Sequence, residues 1–321
     1  MQISPAVINE KSTREYTIVR LGKHNISDLA KLHKDVYDSD MEPGYFKHKY
    51  DTGFTGVSHV GYIAYNSHDL PIAFYGVIPC FIQHHEKIIL AAQSADTMTH
   101  PQYRYKGMFV ELSNMTFELC KQSGILFIFG FPNQNSYHGA VNKLGWQMKG
   151  QMVLFKIPVK AIPFNNFFFK TPLLKSIYKN YFNLVTGKHT QTGIPNAAVA
   201  DGFAGVYRDA EYLAYKSFCG AKVIRAGDAK IWVSNKPGLQ IGDIEGLNEN
   251  NFNDVILKLK AIAQKLGIPE IHFHCSPGTL LHRICSAFYT GYPSYPMLFQ
   301  DFGATISPDD ARFCLADIDI F

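Results

Sequence analysis

Hydrophobic and polar positions alternate or recur along the first 158 residues in a pattern that predicts a meander of strands followed by a strand and helix alternation. Tyr16 to Leu21 reads as a first strand. Leu29, Leu32, His33 and Val36 then share one face of a helix that Asn25 or Ser27 can cap. Residues 38–51 place Pro43 at a helical first turn and add the aromatic set Tyr45, Phe46 and Tyr50, which reads as core or as the wall of a pocket. His59 to Tyr65, Pro71 to Val77 and Lys87 to Ala92 read as strands, with Pro79 breaking the second. Phe109, Leu112, Met115, Thr116 and Leu119 recur at helical spacing, and Gly124 supplies the stop. Ile125 to Phe131 is apolar on both faces, as a strand covered on both sides must be. Pro132 ends it, Asn133, Asn135 and Ser136 suit the cap of a helix to Leu144, and Gln147 to Pro158 closes the unit with a strand.

The pattern changes at residue 159. Leu174, Ile177, Tyr178, Tyr181 and Val185 form an apolar stripe with Lys175 and Lys179 on other faces, a basic amphipathic connector over 159–200. A stripe of that kind packs on its own protein, on a second subunit in a homodimer, or on a membrane surface; the first two are expected over the third. After Asp201 the earlier order returns: strand 239–247, helix 252–266 stopped at Gly267, strand 271–275, short helix 279–286. SGILFIFGFPN and LGIPEIHFHCSP are the same strand and turn twice, which predicts a degenerate internal repeat over 201–321. The fold class expected is α/β (α+β), two units, each a mixed central sheet flanked by helices.

At 321 residues and 46% apolar composition the chain can bury two cores. No run of about 18 apolar residues suggests a membrane span, and MQISPAVINEKSTREY lacks a basic start followed by an apolar core, so a cytoplasmic location is expected. The six cysteines show no CxxC spacing and read as buried thiols. The net charge of +4 is unevenly spread: between Glu118 and Asp201 there are nine lysines and no acidic residue, a field that attracts anions. No arginine cluster points to nucleic acid.

The chemistry concentrates between Gln93 and Trp146. The loop Gln102 to Lys106 carries Arg104 and Lys106 just before Gly107 opens a helix, and the free first-turn N–H groups with the helix dipole make such a place an anion site. Arg104-Tyr105-Lys106-Gly107 resembles the pyrophosphate loop of the GNAT acetyltransferase superfamily, with Phe109 and Tyr105 where that family commonly has small residues or glycine. Lys143-Leu144-Gly145-Trp146 is similar to the family's closing turn, and the resemblance covers roughly residues 16–157. It implies acetyl-coenzyme A as cosubstrate, two strands that splay to admit the pantetheine arm, and coenzyme contacts at Met98, Thr99, Arg104, Tyr105, Lys106, Gly107, Met108, Phe109, Asn133 and Asn135. In the second unit the matching loop, Asn248 to Asn251, has no cation or glycine and carries Glu249, which would repel a pyrophosphate.

Acetyl transfer to an amine needs a base and an acid for the leaving thiolate. The family's acid position falls on Val141; Tyr137, one turn earlier, reads equally as that acid or as a packing tyrosine. Asp96, on the strand leading into the loop, reads equally as base or as a turn-stabilising carboxylate. A further base is implied by acetyltransferases of the enhanced-intracellular-survival type, which use the terminal carboxylate, here on Phe321. His272, His274, Cys275 and His282 do not complete a zinc set, and satisfied strand and helix histidines are the expectation. Neither GxSxG nor HExxH occurs. The function implied is N-acetylation of a small amine, with an amino sugar or a cell-surface polymer precursor as the acceptor suggested. The alternatives are aminoacyl transfer by a Fem-like enzyme and non-catalytic coenzyme A binding.

Overall fold

The computed structural model describes residues 15–168, 171–187, 192–235 and 238–321. In chain order the elements are β1 (Tyr16–Arg20), α1 (Asp28–Tyr37), α2 (Tyr45–Lys49), β2 (Val60–Asn66), β3 (Pro71–His84), β4 (Lys87–Thr99), α3 (Met108–Gln122), β5 (Phe127–Gly130), α4 (Gln134–Leu144) and β6 (Gln147–Pro158). There follow α5 (Asn165–Phe168), α6 (Pro172–Thr186), α7 (Ala197–Ala200), β7 (Gly205–Val206), α8 (Ala210–Lys216), β8 (Lys222–Ala226), β9 (Ala229–Asn235), β10 (Leu239–Glu245), α9 (Phe252–Lys265), β11 (Glu270–Cys275), α10 (Leu280–Phe288) and β12 (Gly291–Asp301).

The strands build one mixed sheet in the order β1-β2-β3-β4-β5-β12-β6-β11-β10-β9-β8, with β7 added to β3. Among the described strands only β4/β5 and β10/β11 pair in parallel. The succession β4-α3-β5-α4-β6 is followed in kind by β10-α9-β11-α10-β12, and the last strand of each crosses to the other. β12 pairs with β5, from Leu298↔Gly130 to Asp301↔Phe127, while β6 pairs with β11, from Glu270↔Pro158 to Cys275↔Val153. β6 and β12 pair with each other at the middle. The strand expected to close the first unit therefore lies beside strands of the second half.

Local chemistry explains most of the elements. Asn133 accepts the N–H groups of Asn135 and Ser136 and so starts α4, which Gly145 ends at φ 70°. Thr171 caps α6 and Thr279 caps α10 in the same way. α1 departs from expectation: Ser27 makes no cap bond and Asn25 Oδ1 accepts the Gly22 N–H instead. Pro79 does not break β3. It pairs with Ala92, and β2 has stopped at Val77, so one side of β3 is an edge there and needs no donor.

The apolar stripe expected on the connector is covered in part, with Leu174 and Val185 half-buried. Tyr178 and Phe182 are buried, the Tyr178 hydroxyl donating to the Leu266 carbonyl at 2.7 Å, whereas Ile177 is 49% and Tyr181 36% exposed. Leu173 and Leu184 face solvent. The buried line of α6 is thus rotated from the stripe expected, because α6 packs against the end of α9 along its 178/182 side. Hairpin β8–β9, helix α8 and strand β12 have no counterpart in the expectations.

Candidate active site

β4 and β5 touch only briefly. They pair at Ala92↔Ile128 and Gln93↔Phe129; then β5 ends at Gly130 while β4 runs on to Thr99. Beyond Gln93 the main chain of β4 pairs with no residue of β5, although Gly130 still lies against Ser94. A bulge sits in this free stretch: Phe74 faces Met98 and Gly76 faces Ala95, so Asp96 and Thr97 together oppose Tyr75. Asp96 takes φ 36°, and the bulge turns its carboxylate out of the strand's alternation.

The strand leads into the basic loop. His100 Nδ1 accepts the Gln102 N–H, a short helical turn covers Pro101–Tyr103, and Tyr105 and Gly107 both take left-handed backbone, φ 66° and 82°. No atom lies within 4 Å of a Cβ built on Gly107, so dihedral angle, not crowding, favours glycine there. Arg104 and Lys106 are exposed. Arg104 Nε donates to the Thr99 carbonyl at 3.4 Å, and Lys106 Nζ is 3.1 Å from Glu15 and 5.2 Å from the Tyr103 ring centroid. A surface pair of that kind is weak and yields to a phosphate. The α3 N-terminus behind the loop supplies unpaired N–H groups. Met98 and Met108 are buried in core, so these two have only main chain to offer a ligand, while Phe109 is half-buried and packs against Gly139. Tyr105 is fully exposed, Asn133 is the α4 cap, and Asn135 is exposed in its first turn. Open main chain, cations and a helix N-terminus in succession fit an extended molecule that ends in phosphates.

On the other side of Asp96 the chain builds a charged cluster. Lys49 Nζ lies 2.7 Å from Asp96 and 2.8 Å from Asp319 while its side chain is 2% exposed. The Tyr50 hydroxyl donates to Asp96 at 2.9 Å, and Gln93 Nε2 to Asp319 Oδ1 at 3.2 Å. Burial opposes the Lys49 charge, but Asp319 and Asp96 outweigh it and hold its pKa well above the ordinary value. Burial pushes the Tyr45 hydroxyl up to about 12. A cavity of about 20 Å³, room for one water-sized molecule, is lined by Lys49, Gln93, Phe129, Tyr215, Lys216 and Asp319 among others. Lys216 is buried with Nζ donating to the Ile318 carbonyl at 3.0 Å, and burial lowers its pKa. Phe218 closes the cavity against Tyr45 and Tyr215, ring centroids 5.8 and 5.5 Å apart.

The structure thus joins Asp96 to Lys49, Tyr50 and Asp319, and leaves Tyr137 apart, half-buried with its hydroxyl donating to Met148 Sδ at 3.3 Å. Lys49 and Lys216 carry no motif. Phe46, Lys49 and Tyr50 do share one face of α2, so a lysine on an apolar face was there to be read. His272 bonds Gln240 and Glu270 at 2.9 and 2.8 Å, and His274 bonds Ser294 at 2.7 Å.

The second parallel pair parts in the same manner. β10 and β11 pair from Leu239↔Ile271 to Ile241↔Phe273, and a register shift at Gly242 sets Asp243 out of line. Here Arg208, with its guanidinium fully enclosed, lies 2.7 Å from Asp243 and 2.7 Å from Asp317. Asp317 and Asp319 sit on one segment and serve the two clusters. Its end, Phe321, packs edge-on to Trp232 at 5.6 Å and over Gly242. The loop before α9 closes on itself, Asn248 Oδ1 accepting from Asn250 and Asn251.

Residues 17–148 match the family described as Acetyltransferase (GNAT) domain. This segment is similar to a GNAT acetyltransferase domain. The whole chain is similar in fold to a GCN5-related N-acetyltransferase of Kribbella flavida, at 11% identity and TM-score 0.56 over 89% of this chain and 71% of that one. It is equally similar to a Pyrococcus horikoshii protein described as a candidate acetyltransferase, at 14% identity and TM-score 0.56 over 94% and 95% of the two chains. A GCN5-related N-acetyltransferase of Anabaena variabilis follows at 13% identity and TM-score 0.54, over 90% and 73%. At such identities these likenesses speak to fold. No curated protein matches the chain by sequence.

Proposed function

We propose that the chain is an acetyl-coenzyme A dependent N-acetyltransferase for a small amine, with the GNAT domain holding the coenzyme. The observation that carries this is the parting of β4 from β5 directly before the Arg104–Gly107 loop. In this reading Arg104, Lys106 and the α3 N–H groups hold the pyrophosphate, and the free main chain of residues 94–99 lies along the arm. When bound, the coenzyme supplies an activated acetyl thioester. Asp96 faces the acceptor side of the cleft and takes the proton of the attacking amine, while Lys49 and Tyr50 fix its orientation. The Tyr137 hydroxyl on α4, now held by Met148 Sδ, is the proposed source of the proton for the leaving sulfur. The succession β10 to β12 serves as a second unit of the same kind without coenzyme, and the amino sugar or polymer precursor named above remains the acceptor class in view.

Release of free thiol from acetyl-coenzyme A with a panel of amines tests the reaction. Calorimetry of Arg104→Ala with Lys106→Ala tests the loop: two charge-assisted contacts, each about 1.5–3 kcal/mol, should be lost, weakening coenzyme A binding more than a hundredfold. The small size of the Lys49 cavity favours a second reading, coenzyme A held without turnover. Tight binding with no thiol release for any amine would select it.

A further inference from the structure

We propose that the opening where β10 parts from β11 is a second ligand site, one that takes a small primary amine with an apolar body. This inference stands independently of the transferase reading. The pocket has a volume of about 150 Å³, with walls formed by α7, the end of β10, the start of α10 and Phe313. That is room for a molecule of benzene's size. Most of the wall is apolar, with Ala197, Ala200, Leu280 and Phe313 among the lining residues, so a ligand gains by burying hydrocarbon there.

Charge decides what else the ligand carries. Asp201, Asp243 and Glu245 line the pocket, and none of its lining residues is Lys, Arg or His. Asp243 is answered by Arg208 behind it at 2.7 Å, and Glu245 by Lys230 at 2.9 Å. Asp201 is different: its Oδ2 accepts the Leu280 N–H at 2.6 Å, and among the described residues no cation pairs with it. An ammonium group beside Asp201 completes that carboxylate, whereas an anion there meets repulsion from Asp201 itself. The pocket occupies the place in this half that the β4/β5 cleft occupies in the other, yet the loop before α9 is cation-free and folded upon itself, so the site is not a copy of a phosphate-binding one.

Calorimetry of the full chain without coenzyme, using benzylamine, benzyl alcohol and benzoate as cationic, neutral and anionic probes of one size, tests the proposal. Benzylamine should bind saturably and at least tenfold more tightly than benzyl alcohol, and benzoate should not bind. Asp201→Asn, which keeps an acceptor for the Leu280 N–H, should lower benzylamine affinity at least fivefold. Ala200→Trp, grown from an exposed lining position, should abolish binding. In the unaltered chain, benzylamine should move the amide resonances of Ala197, Ala200 and Leu280. Shifts at Lys49 and Gln93 instead would put the amine in the other cleft and overturn the proposal. So would equal binding of benzyl alcohol, absence of benzylamine binding, or unchanged affinity in a folded Ala200→Trp protein.

Discussion

Single residues in this protein carry charge and strain that can be measured separately. Tyr105 holds φ 66° with its side chain fully in solvent, so it bears the steric cost of left-handed backbone and has no packing to offset it. Tyr105→Gly should raise stability by about 0.5–1 kcal/mol in denaturant unfolding, the gain being reduced by the greater freedom of glycine in the unfolded chain. Lys49 is the opposite case. Asp96 and Asp319 both face its ammonium, and Lys49→Met leaves two carboxylates against each other, so a loss of about 3–5 kcal/mol is expected by the same measurement. His274 gives a pH dependence of definite sign. Burial pushes its pKa down to about 4 from 6.5, so the folded state resists a proton that the unfolded chain accepts. Stability should fall as pH drops from about 6.5 to about 4, by an amount on the order of 3 kcal/mol, and the fall should be smaller in His274→Gln.

At the scale of elements, what could be read in the sequence was what local pattern determines. α3 and α9 keep their apolar faces at helical spacing, Asn133 caps α4 as its position before a periodic run suggests, and β5 is apolar on both faces because it is covered on both. β12 was hidden for a physical reason. Its sequence, Gly-Tyr-Pro-Ser-Tyr-Pro-Met, resembles a turn, and the two prolines are tolerated only because the ladder to β6 shifts register between Pro293 and Pro296. The partners that hold it, β5 and β6, are more than a hundred residues away in sequence. The charged cluster was half legible for the same reason: Asp96 lies on a recognisable strand, but Asp319 reaches Lys49 from 270 residues away. α6 shows the limit of periodicity, which found an apolar stripe without saying which side of it would be covered. Tyr178→Ser or Phe182→Ser should each cost about 3 kcal/mol, while Leu173→Ser and Leu184→Ser should change stability by no more than about 0.5 kcal/mol. A thermal scan of the four variants distinguishes the faces. Helical spacing puts Lys175 and Lys179 on another face of α6 from Leu173 and Leu184, so they do not border the exposed apolar line.

For the whole molecule, the exchange of β6 and β12 decides whether the halves are independent. If each succession of strands closed upon itself, the chain would have two sheets joined by a connector, and one could melt while the other stayed folded. Here β5 relies on β12, β11 relies on β6, and the segment from Cys314 to Phe321 sends Asp319 to the Lys49 cluster and Asp317 to the Arg208 cluster. Loss of either half removes hydrogen-bond partners and buried counter-charges from the other, so unfolding should be one cooperative transition despite a length at which two domains commonly part. The chain contains two tryptophans, and they sit in different cores: Trp146 beside Phe117 in the first half, Trp232 beside Phe321 in the second. Trp146→Phe leaves tryptophan emission only from the second half and Trp232→Phe only from the first. Each variant's urea midpoint by fluorescence should coincide with its own midpoint by far-ultraviolet circular dichroism, with slopes appropriate to the whole chain. A fluorescence transition that precedes the loss of helix and strand signal in either variant would show that one half opens alone, and would mean that the shared central strands do not couple the two halves.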